Sequence, residues 1–136
     1  MYEFFDHTAD LGLRVRARDL NGLFRDAAMG LFAMVVEEVP RGRPATSREI
    51  RVSGRRHDYL LFDWLNELLY VFETERLLLG NFEVEVSESG IVATLSAWPW
   101  DERIDRPLQE VKAITYHGLR VESVEDGWLA EVIVDI

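Results

Sequence analysis

Hydrophobic and polar positions change period several times along the chain, and each change marks an element. Tyr2 to Phe5 is aromatic-rich and extended in character. Asp6-His7-Thr8-Ala9-Asp10 interrupts it, and Leu11 to Ala17 then alternates apolar and polar towards its end, as a half-buried strand does. Two short strands around a turn are therefore expected. From Leu20 the period lengthens. Leu20, Leu23, Phe24, Ala27, Ala28, Leu31, Met34 and Val35 follow the three-four spacing of one buried helical face, with Asp19 placed to cap it. Gly30 permits a neighbouring element to come close.

Pro40-Arg41-Gly42-Arg43-Pro44 reads as a loop. Arg48 to Ser53 reads as a strand, and a charged turn from Gly54 to Asp58 leads into a second helix from about Tyr59 to Thr74. Leu61, Trp64, Leu65, Leu68, Leu69 and Phe72 form its apolar face, while Asp63, Asn66, Glu67 and Glu73 lie off it. Phe82 to Val86 alternates, Glu88-Ser89-Gly90 turns, and Ile91 to Ala97 returns as the other arm of a hairpin. Trp98 to Gln109 reads as a polar connection. Gly118 to Val124 and Trp128 to Asp135 flank Asp126-Gly127, a strong two-residue hairpin signal. Two main helices of roughly fifteen residues and about seven strands make an α+β domain, its helices packed on one or two mostly antiparallel sheets. The strand order does not follow from the pattern.

Composition narrows the partners. A chain of 136 residues with 48% hydrophobic composition fits one domain spanning 1–136 with its own core. Cysteine is absent, which removes disulfides, thiolate metal sites and a thiol nucleophile. No apolar stretch is long enough to span a bilayer, and the acidic start lacks the features of a secretory leader, so a cytoplasmic location is expected. Fifteen Lys+Arg against twenty-five Asp+Glu leave a net charge of −10. Lys112 is the only lysine, and the arginines are scattered. Such a surface repels phosphate backbones, so tight direct binding of nucleic acid is not expected. A basic protein partner or a divalent cation is favoured instead.

Three histidines are present. His57 sits in a charged turn and reads as solvated surface. His7 and His117 each stand at a strand end among short polar residues, where turn-forming and hydrogen-bonding roles outnumber ligand roles. The Asp6–Asp10 segment holds two carboxylates and an imidazole, a set suited to a hard cation. If the last strand lies beside the first, Asp10, Asp135 and the terminal carboxylate of Ile136 meet in one anionic pocket. The bland alternative is that Asp135 and Ile136 fray into solvent. No nucleophile elbow, P-loop, dinucleotide fingerprint or H-E-x-x-H motif occurs. A hydrolytic set of His7, Asp10 and Lys112 has no spacing that distinguishes it from chance.

The chain resembles the archease family along its whole length. The resemblance is carried by Asp6-His7-Thr8-Ala9-Asp10-Leu11-Gly12, by Ala27-Ala28-Met29-Gly30-Leu31-Phe32 and by Trp64-Leu65-Asn66-Glu67-Leu68-Leu69-Tyr70. Val111-Lys112-Ala113-Ile114-Thr115-Tyr116-His117 and the ending Asp135-Ile136 complete it. It implies an archease-like sandwich and a non-catalytic accessory of an RtcB-type, GTP-dependent RNA ligase in tRNA splicing and RNA repair, promoting ligase guanylylation and multiple turnover. It also implies a divalent metal, calcium by analogy, on Asp10, Asp135 and Ile136, with Asp6, His7, Lys112 and His117 as candidates nearby. A general chaperone of RNA-modifying enzymes is the alternative within the family, and a metal-dependent hydrolase on Asp10, Asp135 and His7 lies outside it. One region departs from the family pattern: Pro99-Trp100 stands where Gly-Glu is expected, and the loop that follows has no histidine.

Overall fold

The computed structural model describes residues 1–136. Asp19 accepts a hydrogen bond from the Gly22 amide at 2.7 Å and starts helix α1, Leu20–Val35, as the pattern predicts. Helix α2 runs His57–Glu75, so two residues of the expected charged turn are already helical. Its buried face, Leu60, Leu61, Trp64, Leu65, Leu68, Leu69 and Val71, is wider than the apolar stripe suggests, and Phe72 is only half-buried.

Eight strands accompany the helices: β1 Tyr2–His7, β2 Asp10–Ala17, β3 Thr46–Ser53, β4 Leu77–Ser87, β5 Gly90–Pro99, β6 Ala113–Ile114, β7 Arg120–Val124 and β8 Gly127–Asp135. They form two sheets. One has five strands in the order β1-β2-β8-β6, with β7 also on β8, and the other has the order β3-β5-β4. Every pairing is antiparallel. Both helices touch both sheets. Helix α1 packs on β1, β2 and β8 of the first sheet and on β4 of the second, while α2 meets β3, β4, β6 and β7. This is the expected α+β arrangement, resolved into two sheets.

Three segments differ from the pattern. Strand β4 starts at Leu77 because Gly80 to Glu83 forms a bulge with Asn81 at φ 52°, which shifts the register and breaks the alternation. Strand β5 continues through Trp98 and Pro99, which the pattern places in a loop; Pro99 opposes Leu77 at the end of the ladder. The two-residue β6 carries no periodic signal and is an additional strand.

The core is continuous. Trp64 is fully buried and its indole N–H donates to the Phe24 carbonyl at 3.0 Å, which ties α2 to α1. At Gly30 a Cβ would stand 2.6 Å from Leu13, so the absence of a side chain lets α1 settle onto β2. No helix is long and apolar enough to cross a membrane.

Candidate functional site

The His-Thr-Ala-Asp segment is a two-residue hairpin. His7 and Asp10 are partners at the ends of β1 and β2, and Thr8-Ala9 closes the turn with Ala9 at φ 60°, in the left-handed region. Side chains alternate across a strand, so His7 and Asp10 share one face while Asp6 lies exposed on the other. Asp6 is thus not part of the row that His7 and Asp10 begin.

That row continues across the sheet. β8 returns antiparallel beside β2 with Asp10 directly opposite Asp135, and Ala113 of β6 stands opposite Asp135 on the far side. Directly opposed residues project from the same face with Cβ atoms about 5 Å apart. Two carboxylates are therefore placed side by side at one end of the sheet. The Lys112 amide donates to the Asp135 carbonyl at 2.8 Å, which holds the end of β8 against the 111–117 segment. Ile136 follows at once, its side chain packed against the core.

The histidines frame this pair. His7 Nδ1 lies 3.5 Å from Asp10 Oδ2, yet it is buried and makes no hydrogen bond of good geometry. The His117 ring meets the His7 ring edge-on, with centroids 5.4 Å apart. Thr115 positions His117: its hydroxyl donates to the Ile133 carbonyl at 2.9 Å and accepts from the His117 amide at 3.2 Å. Lys112 is exposed and lines a groove with Asp63, Asn66 and Glu67 of α2. His57, expected to be simple surface, is half-buried and packs edge-on against Trp128, centroids 5.3 Å apart.

No group of three or more histidine, aspartate or glutamate side chains gathers here tightly enough to hold a metal on its own. Side chains supply two neighbouring carboxylates, Asp10 and Asp135, and Ile136 follows Asp135 directly in the chain. An all-oxygen set of this kind fits calcium or magnesium in its chemistry, and it leaves most of a six- to eight-fold coordination shell to other ligands.

On the same sheet face, further from the turn, the charges are matched instead of opposed. Arg14 reaches Glu131 at 2.6 Å and Glu3 at 3.4 Å, and Arg120 reaches Glu131 at 2.6 Å and Glu122 at 2.9 Å. Burial pushes the Glu131 carboxyl up, but Arg14 and Arg120 outweigh it and hold the group below its ordinary value. The contrast isolates Asp10 and Asp135 as the row whose carboxylates pair with no arginine or lysine.

The resemblance groups Asp6, His7, Lys112 and His117 with Asp10, Asp135 and Ile136, and the topology brings all of these to one end of the sheet with Asp6 on its other face. It passed over the aromatic side chains beside them. Phe62 and Tyr116 stack at 3.8 Å, and Tyr59 meets Tyr116 edge-on. Their signal was available as Tyr59 and Phe62 lying off the apolar stripe of α2, but nothing local brings Tyr116 of the 115–119 turn against them.

Comparison with known proteins identifies the family. Residues 2–136 match the Archease protein family (MTH1598/TM1083). The protein archease of Saccharolobus solfataricus is 37% identical over 139 residues, covering 99% of this chain and 98% of its own. Those of Pyrococcus abyssi and Sulfurisphaera tokodaii are 35% and 34% identical at the same coverage of both chains, 99% and 98%. The solution structure of Methanobacterium thermoautotrophicum protein 1598 superposes with a TM-score of 0.77 at 30% identity, over 99% of this chain and 98% of that one. The chain belongs to the archease family.

Proposed function

We propose that this chain is a non-catalytic accessory of an RtcB-type, GTP-dependent RNA ligase, acting in the cytoplasm in tRNA splicing and RNA repair. In this reading it promotes formation of the ligase–guanylate intermediate, and so repeated turnover, through the carboxylate-bearing tip. The observation that carries the proposal is the register of β2 and β8, which sets Asp10 against Asp135 in a chain that is an archease throughout.

Asp10, Asp135 and a main-chain oxygen of Ile136 would hold a divalent cation, calcium on the family analogy. When bound, the cation supplies positive charge that neutralises the opposed carboxylates and polarises oxygen ligands from elsewhere. His7, its buried Nδ1 beside Asp10, orients that carboxylate and limits its contact with water. Lys112 anchors the Asp135 main chain and directs a cation into the adjoining groove. The net charge of −10 would draw the chain to a ligase cleft basic enough to hold RNA and keep it off the RNA itself. The side-chain count is too small for a two-metal hydrolase.

The test is guanylylation of the cognate ligase by labelled GTP, with and without the chain. Faster accumulation of ligase–guanylate with the intact chain, lost with Asp10→Ala, is expected. Equal accumulation with both would sink the proposal. Suppressed aggregation of unrelated proteins would point to the chaperone reading instead.

A further inference from the structure

Beside the tip, the start of α2 and the turn between β6 and β7 border an open cavity of about 540 Å³ lined by Asp58, Tyr59, Asp63, Tyr116 and Leu119. Its aromatic wall is built and open. Tyr116 lies flat on Phe62, with centroids 3.8 Å apart and planes 14° apart, and Tyr59 closes edge-on at 6.0 Å and 85°. Tyr116 is nevertheless 59% exposed and Tyr59 48% exposed. Phe62 covers one face of the Tyr116 ring and fixes its plane, leaving the ring available to a ligand at little cost in side-chain freedom.

The charges decide what it suits. Asp63 is exposed, lines the cavity, and takes part in none of the chain's ion pairs. Asp58 is bound to Arg56 at 2.8 Å, and that guanidinium lies over the Tyr59 ring at 4.4 Å. The chain thus already shows, at the cavity rim, an arginine held between a tyrosine face and a carboxylate. Tyr116 and Asp63 repeat the pair without the arginine. A nucleobase could stack on Tyr116 equally well, but its phosphates would meet the unpaired Asp63 carboxylate and a chain of net charge −10.

We propose that this cavity receives an arginine side chain from a basic partner protein, stacked on Tyr116 and paired with Asp63. Guanidinium suits the cavity better than ammonium because it is planar, weakly hydrated and able to stack while its edge pairs a carboxylate. The position gives the contact a purpose. Tyr116 immediately precedes His117, whose ring touches His7, so an arginine anchored here fixes the partner's surface against the Asp10–Asp135 tip. In taking the partner to be a protein, the inference rests on the accessory reading above.

The test is titration of the isotope-labelled chain with acetyl-Gly-Arg-Gly-amide, its lysine counterpart, and a uridine hexanucleotide, followed by NMR. The arginine peptide should shift the Tyr59 and Tyr116 ring signals and the Asp63 amide saturably. Tyr116→Ala and Asp63→Asn, both at exposed positions, should each weaken that binding by about three-fold or more, and the lysine peptide should bind less well. Equal response to both peptides with no loss in Tyr116→Ala would overturn the inference, as would a Tyr116 shift with the hexanucleotide alone. No ligase is present in this titration, so its failure leaves the ligase reading standing, and a failed guanylylation assay leaves the cavity's preference for arginine intact.

Discussion

Asp10 and Asp135 face each other across the antiparallel ladder of β2 and β8, two carboxylates in direct register with no arginine or lysine paired to either. Like charges placed so oppose folding by a few tenths to about 1 kcal/mol. In the presence of a chelator, Asp10→Asn is therefore expected to raise thermal stability, in contrast to most substitutions. Calcium should stabilise the original chain and leave the variant nearly unchanged. Calorimetric scans of both proteins, with chelator and with calcium, check this. A lower melting temperature for Asp10→Asn in chelator would show that the pair is not under repulsion.

The turn that presents Asp10 holds Ala9 at φ 60°, where a side chain costs roughly 1 kcal/mol relative to glycine. Ala9→Gly is expected to stabilise the chain by less than that, since glycine also loosens the unfolded state. Denaturant unfolding measures the balance. A loss of more than about 1 kcal/mol would mean that Ala9 makes a contact that outweighs its backbone strain.

Glu131 links Arg14 and Arg120 at 2.6 Å each, and the two guanidinium groups hold its carboxyl below the ordinary glutamate value of 4.5. A depressed value in the folded chain means that the folded state favours the ionised form. The contribution is complete above the unfolded value and is lost as pH falls through the folded one. Glu131→Gln is expected to cost about 1 kcal/mol near pH 7 and to flatten the fall in stability below pH 4.5. Urea midpoints for both proteins from pH 7 to pH 3 test it, and parallel curves would contradict it.

Trp64 joins the helices through its bond to the Phe24 carbonyl while fully buried. Trp64→Phe removes the donor and leaves a void, at a cost of about 2 kcal/mol, with the overall fold retained. Chemical denaturation gives the cost, and far-ultraviolet dichroism should be unchanged.

Much of this fold was legible in the chain because its elements carry their own signals. The α1 stripe with its Asp19 cap is a local feature that packing reinforces, and the hairpin expected around Asp126-Gly127 forms one residue earlier, with Glu125-Asp126 as its turn and Gly127 paired to Val124 in β8. What local pattern does not carry was missed. The bulge at Gly80–Asn81 hides the first half of β4, β6 is held by tertiary pairing to β8, and the division into two sheets depends on which strand meets which. The site divides in the same way. His7 and Asp10 are close in sequence and could be paired on the page, whereas the meeting of Asp10 with Asp135 needed β8 to lie beside β2. The Tyr116 stack escaped because Phe62 and Tyr116 are far apart in sequence and only the packing of α2 beside β6 brings them together.

In the proposed function, the Asp10–Asp135 tip makes this chain an activator of an RNA ligase. Multiple-turnover ligation at limiting ligase tests it most directly, comparing the original chain with Asp10→Ala, both shown to be folded. The original chain is expected to carry the ligase through many turnovers while Asp10→Ala leaves it near a single round. Equal stimulation by the two proteins, or none by either, would contradict it.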